Sequence, residues 1–187
     1  LDDPVSKYIP EFSKLMIAVD KNGESISSSR KEDLGCPHNL VKMDSVMTIQ
    51  HLFNHTAGFY YALTLSECLN DSFATKRILQ AENGDQLIDI LSTLPLVQQP
   101  GHRYFYGMNT SVLGLLLERV TGKSLYQNLK ERVTKVHNIE GLAYNKPQGI
   151  ELLPTFTGRD GNLREIMEGE LDIFGGEVPN YSRENNL

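Results

Sequence analysis

A phenol, two histidines four residues apart and a serine three residues before a lysine are the groups in this chain that could do chemistry. The phenol is Tyr106, in the run Pro100-Gly101-His102-Arg103-Tyr104-Phe105-Tyr106-Gly107-Met108-Asn109, which leads straight into the apolar stretch Ser111 to Val120. A turn thus delivers a phenol to the foot of a helix. Tyrosine titrates near pH 10, so it works as a base at neutral pH only where a neighbouring cation stabilises the phenolate. His51 and His55 have the i, i+4 spacing that can hold a metal on one helix face. The glutamate of His-Glu-x-x-His is missing and no third ligand follows, so both are expected to pack and no metal is expected. Ser28-Ser29-Arg30-Lys31 matches Ser-x-x-Lys in form. That chemistry needs the serine at a helix N-terminus and the lysine buried one turn later. Ser28 lies instead in a polar stretch with no apolar face after it, so it is not expected to be a nucleophile.

Other signatures fail on spacing. No Gly-x-Ser-x-Gly elbow occurs. Gly122-Lys123-Ser124 imitates the end of a phosphate loop, but the earlier glycine would fall at Leu117. Cys36 and Cys68 fit neither a disulfide framework nor a metal ribbon, are expected to be ordinary thiols, and assign no compartment. His38 and His137 carry no context.

The elements that must position Tyr106 are mostly helical. Asp3 and Pro4 open a short amphipathic turn through Phe12, and Leu15 to Val19 reads as a brief strand ended by Asp20-Lys21-Asn22-Gly23. Glu24 to Lys42 reads as loop. Thr48 is placed to cap a helix Ile49 to His55, with Gly58 as its terminator. A short helix is expected near Phe73 to Gln80. Asp85 is read as the cap of a helix with the apolar stripe Leu87, Ile88, Ile90, Leu91 and Leu94, stopped by Pro95. The helix begun by Asn109 or Thr110 is apolar nearly all round, should be buried, and ends at Gly122. Ser124 with Gln127 forms a capping box for a further helix, where Leu125, Leu129 and Val133 repeat at i, i+4, i+8. Beyond Asn138 the pattern breaks into short strands or loops.

Composition narrows the class. A chain of 187 residues with 40% hydrophobic and 22% charged residues can bury one ordinary core. Its net charge of −6 and lack of a basic block argue against nucleic acid and polybasic membrane partners. No apolar run approaches the roughly 20 residues of a membrane-spanning helix. Leu1-Asp2-Asp3-Pro4 has no signal-peptide character, so localisation is left open.

The Tyr106 run, the string Thr48-Ile49-Gln50-His51-Leu52-Phe53-Asn54-His55-Thr56-Ala57-Gly58 and the opening Leu1 to Phe12 together resemble the β-lactamase-related serine hydrolases: class C β-lactamases, DD-peptidases and their esterase relatives. The resemblance implies an α/β fold of the β-lactamase/transpeptidase type, with an antiparallel sheet and a helical lobe. This chain would supply mainly the helical lobe, with most of the sheet missing. It implies one incomplete domain over 1–187, matched best over 1–132, with 133–187 weaker and rich in loops. In such a family Tyr106 serves as catalytic base or proton relay. Gly107, Asn109 and His102 become candidates for the substrate cleft, and His55, Thr56 and Gly58 form a structural helix-end motif.

The nucleophilic Ser and Lys are expected upstream of Leu1. The glycine-rich strand with its His-x-Gly or Lys-Thr-Gly element is expected beyond Phe174 to Pro179. The full-length parent would then be a serine hydrolase or acyl-transferase acting through an acyl-enzyme on an ester, amide or β-lactam-like substrate, with no cofactor. A small molecule or peptide would be its partner, and this chain alone would be inactive. The family pattern Tyr-x-Asn is displaced here, with Asn one place late at Asn109, which favours ester or peptide chemistry over penicillin hydrolysis. A catalytically degenerate member acting as a binding or scaffolding module is the alternative.

Overall fold

The computed structural model describes residues 1–28, 36, 38–62, 64–142, 144, 148–149, 151, 153–154, 156–157 and 163–165. Short 3-10 turns Val5–Lys7 and Pro10–Lys14 open the chain. Strand β1 (Met16–Val19) follows, then a turn Ile26–Ser28 and strand β2 (Asn39–Lys42). The helices are α1 (Ile49–Phe53), α2 (Glu67–Thr75), α3 (Gly84–Ser92), α4 (Asn109–Thr121) and α5 (Leu125–Leu129). A π turn, Lys130–Thr134, carries α5 on into the short α6 (Lys135–His137). Strands β3 (Phe156–Thr157) and β4 (Arg164–Glu165) form a two-residue antiparallel pair.

The sheet that matters is small. β1 and β2 pair antiparallel, with Met16 opposite Lys42 and Val19 opposite Asn39. On the other edge of β1, Leu96 joins as a one-residue parallel bridge: Ala18 N–H donates to the Leu96 carbonyl at 2.8 Å, and Leu96 N–H to that of Met16 at 2.8 Å. β2 falls where the sequence reads as loop. Every one of its residues is exposed, so no side faces a core and no alternation is written into it.

The core gathers around β1. Val5, Ile9, Phe12, Ile17, Leu52, Leu87, Ile88, Leu96, Val97, Met108 and Val112 are all almost wholly buried. The Phe12 and Phe59 rings meet at 5.3 Å. α3 turns Leu87, Ile88 and Leu91 inward, as its stripe predicts. Its cap is Asn83 rather than Asp85: Asn83 Oδ1 accepts from Gln86 N–H at 2.9 Å, and Asp85 lies in the first turn. α4 ends at Gly122 in the left-handed region (φ 64°) as expected, but it is not buried all round. Val112, Leu115 and Leu116 face the core, whereas Val120, in the last turn, is exposed.

Arg119 of α4 ties the N-terminus and α3 to this helix. Its guanidinium donates to both Glu11 oxygens, at 2.9 and 3.0 Å, and to Asp85 at 2.8 Å. The Arg119 hydrogen bonds hold the Glu11 carboxyl below the usual range.

α1 stops earlier than expected. It ends at Phe53, and His55, not Gly58, takes the first left-handed position (φ 53°). Thr48 opens it, and Thr48 N–H donates to His51 Nδ1 at 3.2 Å, so His51 closes the helix start and burial pushes its imidazole down.

The cysteines are not ordinary thiols: Cys36 and Cys68 form a disulfide, their Cα atoms 6.0 Å apart. Spacing along the chain says nothing of two residues 32 apart that a loop and the first turn of α2 bring together in space. His38 likewise has a setting, with Nε2 2.5 Å from Ser66 Oγ.

Candidate active site

Tyr106 is fixed from its backbone outward. Gly107 follows it, buried against the segment after α1. A Cβ on Gly107 would stand 2.1 Å from the Phe59 carbonyl oxygen and 2.6 Å from Tyr60 Cα, so only a bare Cα allows this approach. One residue before Tyr106, Phe105 N–H donates to the His55 carbonyl at 2.8 Å. Main chain therefore grips main chain on both sides of Tyr106.

The ring is held by aromatics. His55 stacks on it, with centroids 5.4 Å apart and planes 22° from parallel, and Tyr61 leans against it at 5.5 Å. His55 also meets Tyr104 at 5.7 Å. Behind Tyr61, Phe73 of α2 packs at 6.2 Å. Tyr106 is still 62% exposed, and among the described residues no side chain hydrogen-bonds its hydroxyl. A proton relay requires a positioned ring and, in addition, a cation beside it to stabilise the phenolate.

His55 is steadied in turn. Asn109 Nδ2 lies 3.2 Å from its Nδ1, and Thr110 Oγ1 lies 3.4 Å from its Nε2. With the Asn109 amide donating, Nδ1 accepts and the ring proton sits on Nε2 toward Thr110. Two residues at the start of α4 thus set the plane on which Tyr106 stacks.

Thr56, Gly58 and Gln98 complete the support. The Thr56 carbonyl accepts from Gly101 N–H at 2.9 Å, and the Gly58 carbonyl from Val97 N–H at 3.0 Å. Gly58 needs its positive φ of 96°, and a Cβ there would stand 2.7 Å from the Gln98 carbonyl oxygen. The buried Gln98 amide donates to the Arg103 carbonyl at 2.5 Å. Nothing in the sequence signals Gln98 or Tyr61, because both act through approach in space.

The cleft candidates divide. Gly107 and Asn109 are buried, so they stand behind Tyr106 rather than facing a substrate from this chain. Asn109 is wholly covered because its helix packs on α1. His102 is exposed, and its Nε2 lies 3.1 Å from Ser28 Oγ. That Ser–His contact is set on the surface. Ser28 N–H is already given to the Ser25 carbonyl at 3.0 Å, so it offers no oxyanion donor. Lys31 and Phe174 to Pro179 lie outside the described residues. The histidines His51 and His55 do not share a site: one caps α1 and the other stacks on Tyr106.

The chain is similar to several known proteins. The acyltransferase mokF of Monascus pilosus is 31% identical over 157 residues, covering 82% of this chain and 34% of that protein. The monacolin J acid methylbutanoyltransferase of Aspergillus terreus is 27% identical, covering 95% of this chain and 42% of its own length. Among solved structures, simvastatin synthase from Aspergillus terreus superposes with a TM-score of 0.65 at 25% identity, over 97% of this chain and 45% of that one. This chain therefore spans less than half the length of these relatives. No helix among the described residues is long and apolar enough to cross a membrane. The fold is that of the β-lactamase/transpeptidase proteins, with helices dominant and, among the described residues, two small antiparallel strand pairs. The family model for β-lactamase matches residues 1–164, and the chain belongs to the β-lactamase family.

Proposed function

We propose that the chain is the tyrosine-bearing lobe, one incomplete domain, of a serine hydrolase or acyl-transferase that works through an acyl-enzyme. The observation that carries this reading is Tyr106 itself: exposed, backbone-locked by Gly107, and stacked on His55. Its phenolate oxygen would take the proton of the attacking serine hydroxyl and later return it to the leaving group. Esters and amides are the substrate class, small molecules or peptides rather than penicillins, in keeping with the displaced asparagine. Acyl transfer is the favoured outcome, supported by the relatives' names. The serine and lysine that complete such a site belong to a Ser-x-x-Lys element outside this chain, so the 187-residue chain alone is inactive.

The test is Tyr106→Phe in the full-length protein. The ring and its stacking stay, and only the hydroxyl goes. A fall in kcat of roughly 10²–10⁴-fold is expected with an unchanged melting temperature, while Tyr104→Phe changes little. A Tyr106→Phe enzyme within about threefold of the parent, far short of that loss, would make Tyr106 a packing residue. Absence of turnover in the unmodified parent would favour a degenerate binding module.

A further inference from the structure

Cys68 is the second residue of α2, Cys36 lies upstream of β2, and His38 stands at the entrance of that strand. One ligand-capable atom from each lies within 4.8 Å of the others. The space between them is polar. Ser66 Oγ sits 2.5 Å from His38 Nε2 and 3.4 Å from Cys68 Sγ, and it caps α2 by accepting from Leu69 N–H at 3.3 Å. His38 Nδ1 is buried with no hydrogen-bond partner among the described residues. A clasp that served only to hold two segments together would need neither a histidine nor a hydroxyl beside its sulfurs.

We propose that Cys36, His38 and Cys68 form a thiol switch: a disulfide in oxidising surroundings and, after reduction, a site of two thiolates and one imidazole for a zinc-class divalent cation. The reductant is a dithiol. Its thiolate attacks Cys36 Sγ, on the exposed cysteine of the pair, and forms a mixed disulfide while the Cys36–Cys68 bond breaks. The electron pair leaves on Cys68 Sγ, where the Ser66 hydroxyl and the N-terminal end of α2 favour a thiolate. The reductant's second thiol then closes its own disulfide and releases the Cys36 thiolate. Two electrons have moved from the dithiol to the two cysteines, and its two protons pass to solvent or to the sulfurs.

The freed pair can then share a cation with the imidazole of His38. Two thiolates neutralise a divalent charge, and a donor set of two sulfurs and one nitrogen suits zinc rather than magnesium or calcium. The sulfurs need to separate to only about 3.8 Å, the edge of a tetrahedron with metal–sulfur bonds of about 2.3 Å. A water molecule would take the fourth position.

The full-length protein tests this with two readouts independent of catalysis. First, it is equilibrated in dithiol buffers of graded reducing strength, alkylated and digested, while circular dichroism reports folding. Reversible reduction of Cys36 and Cys68 in the folded protein is expected. Second, the reduced protein is titrated with zinc ion against a chromophoric chelator and with cobalt(II) for thiolate charge-transfer absorption. One equivalent is expected for the reduced form and none for the oxidised form. His38→Ala leaves both cysteines in place and should weaken zinc by more than the roughly 10–100-fold that losing an outer partner costs. His137→Ala, an exposed control on α6, should not change it. A bond that yields only on unfolding, a reduced protein that takes no zinc, or equal affinity in His38→Ala would each overturn the proposal.

Discussion

Tyr106 and Ser28 each carry a hydroxyl group beside a histidine, and they are held in opposite ways. Tyr106 is gripped by main-chain contacts on both sides, and its histidine is itself anchored by Asn109 and Thr110. Ser28 and His102 touch through one surface contact between a three-residue turn and a loop. Residue types alone would favour the second pair, since Ser–His is a familiar nucleophile and base. Positioning favours the first. A catalytic group needs its partners held in place before the reaction, and that is a property of the supporting layers rather than of the pair.

The sharpest way to break this contrast is Gly107→Ala. The added methyl has no flexible neighbour to displace, only the backbone of Phe59 and Tyr60. A loss of about 3 kcal/mol of stability is expected, read by denaturant unfolding of the full-length protein. A Gly107→Ala protein as stable as the parent would mean that the grip on Tyr106 is loose.

A smaller effect is expected from the ion cluster at the far end of α4. Arg119→Met should cost about 1–2 kcal/mol, since the bidentate pair with Glu11 is partly exposed. Its pH dependence has a definite sign. Arg119 lowers the pKa of Glu11 in the folded state, so the contribution is complete above the unfolded glutamate value, about 4.3. It disappears as pH falls through the depressed folded value. The stability gap between parent and Arg119→Met should therefore be full at neutral pH and close in acid. A gap that widens in acid would contradict the pairing.

The smallest effect is expected at the other hydroxyl. Ser28→Ala should change stability by no more than about 0.5 kcal/mol and leave turnover untouched, and a fluorophosphonate probe should not label Ser28 in the 187-residue chain. Stoichiometric labelling there would reverse the ranking of the two pairs.

What could be read from the sequence was local chemistry. The Ser124–Gln127 capping box forms as written, with Gln127 N–H donating to Ser124 Oγ at 3.1 Å, and Gly122 ends α4. Both depend on residues within a few positions of each other. The Tyr106 run was legible because a turn, a glycine and an apolar helix follow in order. Its support was not, since His55 reaches Tyr106 from far upstream in the chain, and Tyr61 and Gln98 carry no pattern of their own. β2 was missed because an exposed edge strand has no buried face to impose a period. The disulfide was missed for a related reason: pairing is decided by where two segments end in space, which spacing along the chain does not encode.

The bare Cα of Gly107 has a consequence for how this site can diversify. Because backbone meets backbone there, the main chain that carries Tyr106 is seated on the backbone of Phe59 and Tyr60 rather than on a side chain. Tyr104 beside it is exposed and meets the His55 ring, so its side chain can be exchanged without touching that backbone seat. The backbone seat of Tyr106 and the exposed side chains around it are thereby separate structural layers. A scaffold divided in this way can vary the exposed side chains around the phenol while the backbone seat beneath it stays where it is.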